Sequence, residues 1–260
     1  MDRRKIDLRK ARILVTNDDG IHAPGLKALE RIARTLTRDV WVVAPETEQS
    51  ATSHSLTLRR PLRPRRLGPR RFAVDGTPTD CVLVARHDLL TGRPPDMVLS
   101  GINHGGNLGE DVTYSGTIAA AMEGAILGIR AVAFSQVRDG DKKLAWTTAL
   151  RFAPDILRRL AAIRWTKDML VNVNFPACSP DKVRGVHACR QGRRTQGTSI
   201  SRGVDPGGHP YIWVGNFRSD ASTGRNTDLS VVEAGGIAVT PLHLDLTHKK
   251  TLRDLSEVFT

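Results

Sequence analysis

Cysteine is scarce. The 260 residues contain three, Cys81, Cys178 and Cys189, an odd number with no Cys-x-x-Cys spacing. That excludes a disulfide framework and a thiolate zinc site, and leaves all three as small buried apolar side chains. Aromatic residues make up only 5%, with no helix-turn-helix or zinc-finger signature, which is thin equipment for a nucleic-acid binder. No apolar run approaches the roughly 18 residues needed to span a bilayer. Residues 1–12 are crowded with Arg and Lys and lack the apolar stretch of a signal peptide, so a cytoplasmic location is expected. Neither GxxxxGK[ST] nor a GxGxxG after the first strand is present, which argues against an ATPase and a dehydrogenase.

What is there is ordinary in bulk and uneven in charge. Apolar residues are 40% and charged residues 25%, the balance of a globular protein with a substantial core. The net charge is +12, and Arg59, Arg60, Arg63, Arg65, Arg66, Arg70 and Arg71 fall in one stretch without an acid. A second knot is Arg190, Arg193 and Arg194. Such a surplus either solvates loops or attracts anions, and charge alone does not choose between them.

The chain alternates between strand and helix signals. Residues 12–15 (RILV) form a short apolar run, residues 24–36 carry Leu26, Leu29, Ile32, Ala33 and Leu36 at helical spacing, and residues 40–44 (VWVVA) read as a buried strand. Further strands are expected at 71–74, 97–99, 131–134 and 170–173, with helices over 77–90, 117–127 and 144–163. This rhythm predicts an α/β fold, a Rossmann-like, mainly parallel sheet with helices on both faces. After Pro176 the texture changes. Residues 179–226 are rich in Gly, Arg, Ser and Asp around a β-like island at 211–214, which reads as a hairpin arm. A core over 1–176 is therefore expected, followed by an arm and a returning segment over 177–260, with a strand at 237–240 and a short polar helix from 247.

In parallel sheets, ligands sit beyond the carboxyl ends of the strands, so three polar loops matter. The first is Asn17-Asp18-Asp19-Gly20. Two adjacent carboxylates repel and stay ionised together only beside a cation or strong donors. Hard oxygen ligands of this kind suit Mg²⁺ or Mn²⁺ rather than zinc. The plain alternative is a surface turn with Asp18 capping the next helix. The second loop, residues 45–55, is polar and by itself reads as solvent-facing. The third, residues 100–117, holds five glycines and then opens an Ala-rich helix at Ser115-Gly116-Thr117. Free N–H groups at such a helix start accommodate a phosphate, and capping by Ser115 alone does not explain the long glycine loop. A cation beside a phosphate cradle suggests metal-assisted hydrolysis of a phosphomonoester.

Five blocks together carry a resemblance: ILVTNDDGIHAPG at 13–25, VVAPETEQSATSHSLTL at 42–58, GTPTDCV at 76–82, PDMVLSGINHGGNLGEDVTYSGTIAAAMEG at 95–124 and VTPLHLDLT at 239–247. In order and spacing they resemble the survival protein E (SurE) family of metal-dependent nucleotide phosphatases. The resemblance implies one divalent cation per subunit, Mg²⁺ or Mn²⁺, held by Asp18, Asp19, Ser50 and Asn103. It implies that Asn107, Ser115, Gly116 and Thr117 face the substrate phosphate. The implied activity is 5′-nucleotidase on nucleoside monophosphates, commonly also 3′-nucleotidase, with some members acting on short polyphosphate. The implied assembly is a homodimer or homotetramer built through a swapped C-terminal arm. Residues 1–11 precede the family's usual start, and the arginine run at 59–71 is unusually basic for it.

Three readings compete on this basis. A phosphatase with Asp18 and Asp19 as the catalytic pair leads, and an exopolyphosphatase or a non-enzymatic nucleic-acid binder would be the alternatives. Direct attack by an aspartate is disfavoured because the acids are adjacent rather than spaced Asp-x-Asp. His22 and His104 lie near the motifs, where a structural or solvent-facing role is the commoner one.

Overall fold

The structure, a computed structural model, describes residues 5–140, 146–194, 198–217 and 224–259. Its centre is the parallel run expected from the apolar segments. Strands β1 (Arg12–Thr16), β2 (Asp39–Pro45), β4 (Arg71–Val74), β5 (Met97–His104), β6 (Arg130–Gln136) and β7 (Met169–Phe175) lie in the order β4-β2-β1-β5-β6-β7. Strand β3 (Pro64–Gly68) extends one edge antiparallel to β4. At the other edge β11 (Ile237–His243) pairs antiparallel with β7, and the short β8 (Val186–Ala188) pairs parallel with β11. The returning C-terminal segment thus completes a nine-stranded sheet.

Alternation of side chains along the strands divides the core between two faces. Ile13 and Val15 point to one face, where they pack with Leu26, Leu29 and Ile32 of α1 (Pro24–Arg34) and Ile156 and Leu157 of α5 (Thr147–Ala162). Leu14 points to the other, with Cys81 and Val82 of α2 (Pro78–Val84) and Ile118 and Ala121 of α4 (Gly116–Ile126). Each such aliphatic side chain contributes roughly 1.5–3 kcal/mol when taken from water, which is why both faces must be covered. Helix α2 opens on a capping box between Thr77 and Asp80, as the Thr-Pro pair suggests. It continues to Leu89, near the expected end, as a wider helical turn closed by Leu90 N–H on the Ala85 carbonyl. The expected start of the next long helix at 144 lies outside the described residues.

The arm is an antiparallel hairpin of β9 (Thr198–Val204) and β10 (Pro210–Phe217). Ile212, Trp213 and Val214 on β10 are exposed. The final helix α7 (Lys249–Phe259) is not simply polar: Leu252, Leu255 and Val258 recur at helical spacing and remain exposed. Cys81 and Cys189 are buried as expected, whereas Cys178 is only half-buried. Five of the seven arginines of the basic run face acids elsewhere in the chain. Arg60 and Arg63 face Asp75, Arg65 faces Glu46, Arg70 faces Asp39 and Arg71 faces Glu30. Among the described residues no helix is long and apolar enough to cross a membrane.

Strand β1 has β2 on one side and β5 on the other, and their crossover helices α1 and α4 lie on opposite faces. The chain therefore reverses direction across the sheet between β1 and β5. A crevice opens beyond their carboxyl ends, where the loops after Thr16 and His104 emerge.

Candidate active site

Past β1 the chain turns sharply. Gly20 sits at φ +95°, and a Cβ there would press on the Thr47 backbone at 3.2 Å. Asn17 Nδ2 donates to the Gly20 carbonyl at 3.0 Å, and Gln49 N–H donates to the Asp18 carbonyl at 2.7 Å. This turn lets both Asp18 and Asp19 line one cleft of about 1000 Å³. Asp18 is 3% exposed, and Thr117 Oγ1 donates a short hydrogen bond to its Oδ1. Helix α4 reaches Asp18 so closely because residue 116 has no side chain: a Cβ on Gly116 would lie 2.9 Å from Asp18 Cβ.

Burial raises the Asp18 carboxyl above its usual range, an effect that the Thr117 hydroxyl opposes. Asp19 is pushed up to about 7, first by burial and then by the neighbouring Asp18 charge, while a backbone hydrogen bond with His104 works against both. Among the described residues neither carboxylate has a Lys or Arg ion pair. Two adjacent acids, Asp18 buried and Asp19 half-buried, without a cationic partner are electrostatically incomplete, a setting that a cation can complete.

The loop after β2 brings Ser50 to the same cleft, with its hydroxyl donating to Glu48 Oε1 at 2.8 Å. That bond uses the Ser50 proton and leaves its lone pairs for a cation. The loop takes left-handed backbone at Ala51 and Ser53 and is fastened to the Ser115 side of the cleft: Ser53 N–H donates to the Tyr114 carbonyl at 3.1 Å, and Ser53 Oγ to the Thr113 carbonyl at 2.8 Å. His54 Nε2 lies 3.0 Å from Glu123 Oε2 on α4, a further tether.

From β5, Asn103 also lines the cleft and donates from Nδ2 to the Gly105 carbonyl at 3.0 Å, leaving Oδ1 as its free oxygen. Asn107 is held on all sides. Its N–H donates to Asn174 Oδ1 at 2.9 Å, its carbonyl accepts from Asn172 Nδ2 at 2.8 Å, and its own Nδ2 donates to Ser135 Oγ at 2.8 Å. The buried asparagines of β7 thus fix the glycine loop. Ser115 caps α4 by accepting from Ile118 N–H at 3.1 Å.

Asp18, Asp19, Ser50, Asn103, Asn107 and Ser115 therefore converge on one cleft. Gly116 and Thr117 stand behind Asp18 rather than at the cleft surface, with Thr117 fully buried. His104 lines the cleft, whereas His22 is exposed outside its lining. The lining also includes Glu48, Asp111, Tyr114 and Arg138, which carry no distinctive signal in the sequence. Arg194 lay within a noted basic knot, but only the fold shows its pairing with Asp111 at 2.7 Å. Two carboxylates with neutral hydroxyl and amide oxygens form a hard donor set that fits Mg²⁺ or Mn²⁺. Among the described residues no cluster of three or more His, Cys, Asp or Glu offers a competing site.

Comparison with known proteins identifies the family. Residues 13–198 match the family described as Survival protein SurE. The chain is 54% identical to the 5′-nucleotidase SurE of Paramagnetospirillum magneticum over 97% of each chain. It is 52% identical to the protein of the same name from Rhodospirillum rubrum, over 97% of this chain and 98% of the relative. The crystal structure of the SurE protein from Aquifex aeolicus superposes with a TM-score of 0.83 at 38% identity, covering 96% of this chain and all of that one. By family match, near-full-length identity and fold, the chain belongs to the survival protein SurE family.

Proposed function

We propose that this chain is a 5′-nucleotidase, a phosphomonoesterase that converts nucleoside monophosphates to nucleoside and phosphate. The observation that carries the reading is the adjacent pair of Asp18, buried, and Asp19, half-buried, without a cationic side chain, on a cleft shared with the start of α4. The name 5′-nucleotidase borne by relatives at 54% and 52% identity supports it.

Asp18, Asp19, Ser50 and Asn103 would hold one divalent cation, Mg²⁺ or Mn²⁺. When bound, such an ion neutralises phosphate charge and lowers the pKa of water. The chain's own residues do the rest. Thr117 and the close approach of Gly116 fix the Asp18 carboxylate, and Glu48 fixes the Ser50 hydroxyl. Ser115 and the first N–H groups of α4 receive the phosphate, with Asn107 beside them. Water adds to phosphorus as the ester P–O bond breaks, and the departing nucleoside oxygen takes a proton.

Residues 1–176 supply the cation and phosphate contacts in this reading, and 177–260 complete the sheet and close the cleft through Arg194 and the hairpin residues Val214 and Gly215. The exposed apolar side chains of β10 support assembly into a homodimer or homotetramer through the arm, and the enzyme works in the cytoplasm. Pairing of the 59–71 arginines with carboxylates speaks against that run as a nucleic-acid surface.

The expected result is phosphate release, with Mn²⁺ or Mg²⁺, from a panel of nucleoside 5′-monophosphates at higher kcat/KM than from tripolyphosphate. Nucleoside 3′-monophosphates on the same panel rank the second sugar position. Release from tripolyphosphate alone would replace the nucleotidase reading with an exopolyphosphatase. No release from any of them would remove both.

A further inference from the structure

The cleft is acidic. Asp18, Asp19, Glu48 and Asp111 line it, against two arginines, Arg138 and Arg194. Arg194 is already committed: its guanidinium donates to Asp111 at 2.7 and 3.1 Å and to the Leu108 carbonyl at 2.7 Å, with its side chain only 8% exposed. Arg138 is different. Among the described residues it has no hydrogen bond or ion pair, and it is exposed at the mouth of the cleft.

The backbone leading into Arg138 is nevertheless fixed. Val137 N–H donates to the Phe175 carbonyl at 3.0 Å, Gln136 Nε2 donates to the Pro176 carbonyl at 2.8 Å, and Gly105 N–H donates to the Gln136 carbonyl at 3.0 Å. The guanidinium therefore extends from an anchored strand end, next to the loop that carries Asn103 and Asn107. A cation left unpaired in a cleft lined by four carboxylates is suited to an anion that arrives from outside.

We infer that Arg138 is a specificity-determining residue that binds a second anionic group of the substrate, so that a further phosphate on the substrate strengthens its binding in the cleft. This rests on the phosphatase reading above. The scissile phosphate belongs beside Asp18 and Ser115, which are 3% and 8% exposed, whereas Arg138 stands at the exposed mouth. A nucleoside monophosphate has one phosphate and spends it on the cleft floor. A nucleoside 3′,5′-bisphosphate or a short phosphate chain has another to offer at the mouth, and a guanidinium binds it in two-pronged fashion.

The test measures kcat/KM for adenosine 5′-monophosphate, adenosine 3′,5′-bisphosphate and tripolyphosphate in the full-length protein, Arg138→Gln and Arg138→Lys. The readout is the ratio of each doubly anionic substrate to the monophosphate. In Arg138→Gln that ratio falls about tenfold, mainly through KM, and Arg138→Lys recovers part of it. A fall for the bisphosphate alone identifies a nucleotide as the doubly charged substrate, and a fall for tripolyphosphate alone identifies a phosphate chain. An unchanged ratio in Arg138→Gln, whatever happens to absolute rates, overturns the inference. Absence of phosphate release by the unaltered protein would instead overturn the phosphatase reading on which it stands.

Discussion

Asp18→Asn is expected to lower kcat by about a thousandfold or more, equivalent to about 4 kcal/mol of lost transition-state stabilisation. The substitution is nearly isosteric. Asparagine keeps the Oδ1 that accepts from Thr117 and fits the space under Gly116. What disappears is one of two negative charges facing the cleft, and with it the charge that would hold the cation. The effect on stability runs the other way. Burial already disfavours the Asp18 carboxylate, so a neutral amide relieves a cost when no cation is bound. The thermal midpoint of Asp18→Asn in EDTA should therefore equal or exceed that of the parent, while calorimetric Mn²⁺ binding is lost. A variant that retains both turnover and Mn²⁺ binding would remove Asp18 from the site. One that fails to fold would contradict the argument that its charge serves function at the expense of stability.

The second large effect concerns Gly25, an uncharged position at the start of α1. Residue 25 lies in the first turn of α1, where intrinsic propensity favours alanine over glycine by roughly 1 kcal/mol. Propensity alone thus predicts that Gly25→Ala stabilises. The packing predicts the reverse. A Cβ at this position would lie 2.0 Å from the Ile102 carbonyl oxygen, a backbone atom that has no rotamer to escape into, and 3.0 Å from the Trp146 ring. Helix α1 must then lift from β5 by more than an ångström. Overpacking of this kind costs roughly 1–3 kcal/mol and occasionally more, and the collision here is at the severe end. The expected net loss is about 2 kcal/mol, read as a lower denaturation midpoint with unchanged m-value. Because Asn103 is the residue after Ile102, activity should fall as well. An alanine variant as stable as the parent would show that α1 does not sit on β5 as described.

These two sites illustrate what the sequence discloses. The alternation of apolar runs announces the parallel sheet, and two adjacent aspartates after the first run point to a cation or to a plain surface turn. Such signals are local and periodic. The Ser115-Gly116-Thr117 turn is visible as a helix start, yet spacing cannot tell that Thr117 turns inward to Asp18, because its partner lies 99 residues away. The same limit hides the role of Gly116, whose missing Cβ matters only against Asp18. Ser50 and Asn103 carry no distinctive signal in their own segments and were reached only through the family resemblance. The arginines of 59–71 suggest an anion surface until Asp75, Glu46, Asp39 and Glu30 are brought beside them by the fold. Part of that stretch even forms an edge strand, β3, despite arginines that exclude it from any core.

The C-terminal third shows a related limit. Its Gly, Ser and Arg content reads as an arm, and the hairpin of β9 and β10 bears that out. Pairing of β8 with β11, and of β11 with β7, is less legible, since a three-residue strand has too little length to show a period. Apolar side chains left exposed on β10 and α7 have no partner within the monomer's core, which is a property of sequence and fold together.

The most direct test of the central claim is phosphate release from adenosine 5′-monophosphate as the divalent cation is withdrawn and returned. The account predicts that EDTA abolishes release and that Mn²⁺ or Mg²⁺ restores it in the same sample. Release that continues undiminished in excess EDTA would contradict it, because Asp18 and Asp19 would then be working without the cation that their burial and adjacency call for.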